Sequence, residues 1–429
     1  MKKLFAWLLI AALMLTPLSG CASNPAAKQP QTQTSSGQQA GTAAVANLAA
    51  SVAVQKPEAG EFTQDDAAAA ADFGVRLLQK SAADGTRMIS PVSILYALGM
   101  TLNGADGETK TQMEKTLGFT ADELNRAMLA YRTSLPTDDT MKLANSVWLR
   151  DSDSLRVNDD FLRTDSAYYN AEIYKAAFDE STLAAINAWV SEHTDKMIPT
   201  ILNEISDGAM LYLINAVAFD AKWQTPYEDA DVQDETFTKD DGTEQTVKMM
   251  RSGEGVYLDD GQATGFVKDY DGGKYAFAAL LPNEGVSVSD YVASLTGQSL
   301  MRTLQNAEYT DVNAGLPKFT SDYSAELAGT LAALGMPDAF GDSADFSKMG
   351  SSGEGPLSIG SVIHKTHIEV DEQGTKAAAA TAVMAGVTCV EEPQEPKTVI
   401  LNRPFVYVIL DTQTNLPVFL GVMGDPGNS

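Results

Sequence analysis

Apolar positions recur in two periods along this chain. Ile94, Leu95, Leu98 and Leu102 fall on one face of a helix, and Ser90-Pro91 just ahead offers a capping hydroxyl and a first-turn proline. Ile186, Trp189, Val190, His193 and Met197 make a second helical stripe, with Ser181 or Thr182 as its cap. Residues 144–149, 276–281, 405–410 and 417–422 read as strands, and the last two close a hairpin around 411–415. Leu211–Phe219 is apolar almost without break, which puts it in the middle of a covered sheet. The mixture predicts an α+β fold with antiparallel pieces and one long central sheet.

One stretch fits neither period. From Gly374 to Gly386 nearly every side chain is small, and Lys376 carries the only charge. The alanines favour helix, whereas Gly374, Thr375, Thr381 and Val383 do not, and residues 361–372 ahead of it alternate like a strand. A segment this small could stay a loop or slide into a sheet without steric cost.

The ends of the chain are patterned differently from its body. Lys2 and Lys3 precede the apolar run 4–15 and then Leu18-Ser19-Gly20-Cys21, the order of an export signal over residues 1–20. Leu-Ser-Gly-Cys is similar to the bacterial lipobox, which makes Cys21 the expected lipidated first residue of an exported, membrane-anchored chain facing the outside. Residues 21–61 are rich in Gln, Ser, Thr, Ala, Gly and Pro, and read as a tether. About 40 such residues span roughly 35 Å root-mean-square. No comparable break follows, so residues 62–429 read as a single domain.

Composition removes some functions. At 44% hydrophobic and 20% charged the mixture is that of a soluble globular protein, and a net charge of -27 argues against nucleic-acid binding. The chemistry of a catalyst is thin: His193 sits on an apolar stripe, while His364 and His367 fall on opposite faces of a strand and cannot share a metal. Gly341-Asp-Ser-Ala344 lacks the glycine and the histidine context of a serine-protease nucleophile segment, and residues 350–353 lack the spacing of a nucleophile elbow. Cys389 is the one thiol left in the domain, without a local base. No cofactor or metal site is expected.

Several separated segments, in order, carry a resemblance. Ile89-Ser-Pro-Val-Ser-Ile94, Asn215-Ala-Val-Ala-Phe-Asp-Ala-Lys-Trp223 with Pro226-Tyr227, Leu316-Pro-Lys-Phe319, Leu334-Gly-Met-Pro-Asp-Ala-Phe340, Ala344-Asp-Phe-Ser347, Val362-Ile-His-Lys365, Val370-Asp-Glu-Gln-Gly-Thr375 and Arg403-Pro-Phe405 together resemble the serpins from about residue 72 to 425. The resemblance implies the serpin fold: a large central mixed sheet, further sheets, eight or nine helices and an exposed reactive loop near 372–402. It also implies a monomer that is not an enzyme but a suicide substrate of a serine protease. The loop is cut, the protease is held as an acyl-enzyme, and the cut loop enters the sheet.

Carried over position by position, Ser90, Ser93, Asn145, Asn215 and His364 meet under the sheet as a polar cluster, and Trp223, Lys318 and Glu372 lie at its opening. Gly374, Thr375, Ala377, Ala378, Ala379, Ala380 and Thr381 form the hinge and inserting arm with Glu372, and family spacing puts the cut at Thr388-Cys389, flanked by Val387. Lys376 departs from the family's usual glutamate. No basic residue lies between Lys376 and Lys397, so the expected target is elastase-like, with a shallow apolar pocket. The alternatives are a serpin-fold binding or chaperone protein at the cell surface, and a hydrolase using Ser343 or Cys389.

Overall fold

A computed structural model describes residues 45, 47–81, 85–136, 140–206, 208–353, 355–375 and 395–428. The inserting arm from 376 and the bond 388–389, like Cys21 and the signal, lie outside the described residues.

Helix α1 (Pro91–Gly104) begins at Ser90, whose Oγ accepts from the Ser93 amide at 3.3 Å. Apolar all round, it is buried at every position but Asn103, as an interior helix must be. Around it in chain order come α2 (Ala121–Ser134), β1 (Met141–Arg150), α3 (Asp159–Tyr169), β2 (Glu172–Ala176) and α4 (Glu180–His193). These are followed by β3 (Leu211–Phe219), β4 (Ala221–Lys222), β5 (Phe319–Glu326), β6 (Ser361–Val370) and β7 (Gly374–Thr375). The described residues form nine α-helices in all.

The seven strands make the central sheet, in the order β2-β1-β3-β6-β7-β4 with β5 on the far side of β6. Strands β3 and β6 pair directly and in parallel, from Tyr212 against Ser361 to Ala218 against His367. A second, nine-stranded sheet contains the hairpin Phe405–Asp411 and Pro417–Met423 together with Tyr275–Pro282, Ala263–Asp269 and Glu244–Asp259. Strand β3 is buried at all nine positions, with the main apolar core on one face and a smaller cluster under α4 on the other.

Two local expectations change. The cap of α4 is Asp179, whose carboxylate accepts from the amides of Ser181 and Thr182 at 2.9 and 3.2 Å, and the helix ends at His193, before Met197. The tether, expected to run to residue 61, is docked well before that. Asn47 bridges Tyr174 on the free edge of β2, Leu48 donates to the Ile173 carbonyl at 2.7 Å, and Ala49 is buried. Small residues suffice there because an edge strand offers unpaired backbone groups.

Candidate functional site

At its upper end the sheet forks. Below the fork β3 pairs with β6, whereas above it β7 lies between β6 and β4, the short strand that follows β3, with Thr375 opposite Val370 on β6 and Ala221 on β4. The chain reaches this position by a tight bend: Asp371 Oδ1 accepts from the amides of Gln373 and Gly374 at 2.8 and 3.2 Å. Gly374 has φ 155°, and a Cβ there would stand 2.1 Å from the Ala221 carbonyl oxygen, so only glycine fits.

The hinge is gripped by its neighbours through backbone and ring contacts. Amides of Trp223 and Tyr227 donate to the carbonyls of Gln373 and Glu372, both at 2.9 Å, and Trp223 Nε1 donates to the Asp371 carbonyl at 2.9 Å. Lys318 Nζ lies 2.8 and 2.7 Å from the two carboxylate oxygens of Glu372. Burial opposes the charge on Glu372, but the Lys318 ammonium outweighs it and holds the carboxyl below its ordinary range. Thr375 is fully buried, its hydroxyl 2.6 Å from that of Tyr270, and the Tyr270 ring stacks on Trp223 at 4.4 Å.

Beneath Trp223 the buried ammonium of Lys268 lies 4.4 Å from the Tyr227 ring centre and 2.9 Å from Glu254. Tyr270 and Lys268 were not anticipated from sequence, and Tyr227 was read only as part of a family segment. Tyr270 and Lys268 come from outside the hinge segment, and the pairing of Trp223 with Tyr270 brings their strand to it, whereas Tyr227 reaches the hinge through its own amide.

Lower down, the five polar residues lie together where β3 and β6 touch. Ser90 N–H donates to His364 Nε2 at 3.1 Å, so the ring's proton is on Nδ1, which donates to Asn215 Oδ1. Asn215 Nδ2 donates in turn to Ser93 Oγ and Asn145 Oδ1, both at 2.5 Å, and to the Ser93 carbonyl at 2.7 Å. Burial alone lowers the His364 pKa to about 3, so the ring is neutral at any ordinary pH. His364 and Asn215 are direct partners across the β3–β6 seam. A new strand entering that seam has to separate them. His367, on the other face of β6, pairs with Asp322 at 2.7 Å. Residues 341–343 form an exposed turn.

The fold and this fork define a protein built around a large central sheet that forks at its upper end. The family model described as Serpin (serine protease inhibitor) matches residues 68–426, and the chain belongs to the serpin family, whose members are generally protease inhibitors. It is 32% identical to a serpin-like protein of Thermococcus kodakarensis over 346 residues, covering 79% of this chain and 80% of that one. The leukocyte elastase inhibitor of Sus scrofa is 31% identical over 375 residues, 82% of this chain and 96% of its own. Among solved structures, the thermophilic serpin tengpin in its native state superposes with a TM-score of 0.84 at 43% identity, covering 89% of this chain and 99% of that one.

Proposed function

We propose that the chain is an inhibitory serpin, a suicide substrate for an elastase-like serine protease. The observation that carries this reading is the hinge: Thr375 is already seated in the fork, in a register that continues into the β3–β6 seam. In the proposed reaction the protease serine oxygen attacks the Thr388 carbonyl carbon. The bond to Cys389 nitrogen breaks, that nitrogen takes the proton, and Thr388 stays esterified to the protease. Insertion of the freed arm then outruns hydrolysis of the ester. At about 3.3 Å per residue, fourteen inserted residues carry the ester roughly 46 Å toward the far end of the sheet.

Hydrogen bonds of a new ladder and burial of small side chains drive the step. The similarity to a leukocyte elastase inhibitor and the absence of Lys or Arg between 376 and 397 support a target with a shallow apolar pocket, which the small Thr388 side chain fits. Export and lipid attachment through Cys21, with the domain acting as a monomer held off the membrane by residues 22 to about 44, complete the proposal.

Incubation with a pancreatic elastase followed by denaturing electrophoresis tests it. A band of the summed mass, stable to boiling in detergent and lost at alkaline pH, is expected. Cleavage without such a band, by this and other small-pocket serine proteases, overturns the inhibitor reading.

A further inference from the structure

The outer face of the second sheet carries two glycines that the fold does not require. At that sheet's edge the strands Glu244–Asp259, Glu308–Pro317 and Lys397–Ile400 lie side by side. Val312, Ala314 and Val399 are buried on their inner face, where Glu254 meets Lys268. The outward positions between them, Gly253, Gly255, Asn313 and Thr398, are exposed, with Gly253 opposite Asn313 and Asn313 opposite Thr398. Glycine weakens a strand, so it needs a reason there. Gly265, one strand further in, has one: a Cβ would stand 2.0 Å from the Ala279 carbonyl oxygen. A Cβ on Gly253 or Gly255 would meet nothing within 4 Å among the described residues, and neither has a positive φ.

Beside these glycines the middle strand bulges. Tyr309 is opposite Val256 and Val312 opposite Glu254, so Thr310 and Asp311 together stand opposite Gly255. Tyr309 is 87% exposed, the single exposed large hydrophobic side chain among the described residues, and Glu308 and Asp311 near it are exposed carboxylates. The chain returns from the loop to this same place: Lys397 pairs with Val312, and its ammonium lies 5.2 Å from the ring centre of Tyr257, which is opposite Glu308. A lone exposed tyrosine calls for no explanation, but one set beside a bulge, two unforced glycines and the returning loop does.

We propose that this shelf is a second contact for the target protease, outside the cut bond; this rests on the inhibitor reading above. Tyr309 is the anchor, and Gly253 and Gly255 are the bare floor onto which the protease surface comes down. Glu308 and Asp311 favour a partner with a basic rim. The reach is sufficient. Nine residues separate Thr388 from Lys397, at most about 32 Å even when fully extended. A protease of about 240 residues is roughly 45 Å across, so one seated on that bond has surface to spare over the shelf. The primary pocket then reads the loop, and the shelf distinguishes among proteases whose pockets are alike.

The test compares the full chain with Tyr309→Ala, with Gly255→Gln, which puts a side chain into open space, and with Glu308→Gln combined with Asp311→Asn. Each is mixed with leukocyte elastase, a basic small-pocket protease, and the second-order rate of enzyme loss, the inhibitor consumed per enzyme and the melting temperature are measured. Tyr309→Ala is expected to associate about tenfold more slowly and Gly255→Gln about fivefold, as loss or blocking of one anchor allows. The charge variant should slow about threefold at low salt and lose most of the parent's salt dependence. Consumption per enzyme and melting temperature stay at parent values, since neither the hinge nor the core is touched. If the parent forms the covalent band but all three variants associate at its rate, the shelf is overturned and the inhibitor reading stands. If the parent forms no band with this or other small-pocket serine proteases, the inhibitor reading falls and takes the shelf with it.

Discussion

Asp165, on α3, is fully buried with one donor, Asn103 Nδ2 at 2.8 Å on its Oδ1, and no hydrogen-bond partner for Oδ2. Asn103 is itself clasped with Asn125 by bonds of 3.0 and 2.9 Å, so the three side chains join α1, α2 and α3. Burial pushes the carboxyl well above its ordinary range, more than the Asn103 bond lowers it. A carboxyl whose folded pKa is raised supports the fold fully below its unfolded value, near 3.8, and loses that support as pH climbs toward the folded value. Asp165→Asn keeps the shape and cannot ionise. It should stabilise the protein by about 1 to 2 kcal/mol at pH 8, the scale of an unsatisfied buried polar group, with the gain shrinking toward pH 4. Urea denaturation at the two pH values reads this directly; a pH-independent effect would refute the assignment.

The clamp of α4 on β2 depends on the protonation of its histidine. His193 Nδ1 bonds the Trp189 carbonyl at 2.7 Å and Nε2 the Glu172 carboxylate at 3.1 Å, and the Glu172 bond, against the opposing effect of burial, raises the imidazole above its ordinary value. The His193 bond is the largest influence holding Glu172 at about 2, with Tyr174 and Trp189 also donating to it. The histidine's contribution is therefore complete below its unfolded pKa of about 6.5 and is lost as pH rises through its folded value. Both side chains are about one-third exposed, so the loss from pH 6 to 9 should stay under about 1 kcal/mol, and it should vanish in His193→Gln. Parallel denaturation curves of parent and variant across that range check it.

Such a pair joins a helix to an edge strand 21 residues away, and nothing in the spacing announced it; His193 read simply as part of an apolar stripe. By contrast β3 was legible residue for residue, because burial on both faces leaves only one pattern available. The Ser90 cap was legible from the proline directly behind it, while Asp179 was missed because Ser181 and Thr182 just after it offered two plausible capping hydroxyls. At the hinge, the positions of Trp223, Lys318 and Glu372 came from family resemblance, since their meeting depends on contacts 54 and 148 residues apart.

The molecule as a whole is arranged around a seam that is closed below and started above. Polar partners Asn215 and His364 pair across it at mid-height, and Thr375 sits at its top between Val370 and Ala221. Thr375 is fully buried, with its hydroxyl against that of Tyr270. An arginine there has to leave the fork to reach water, taking the hinge with it, since burying an unpaired guanidinium costs several kcal/mol. Thr375→Arg should then fold as the parent does, because the seam below is untouched, and still be cut in its loop. The cut chain would insert too slowly to trap the ester, so titration against elastase should require at least about tenfold more inhibitor per enzyme, with cut monomer accumulating in place of the covalent band. An unchanged titration would mean that entry at residue 375 does not govern the trap.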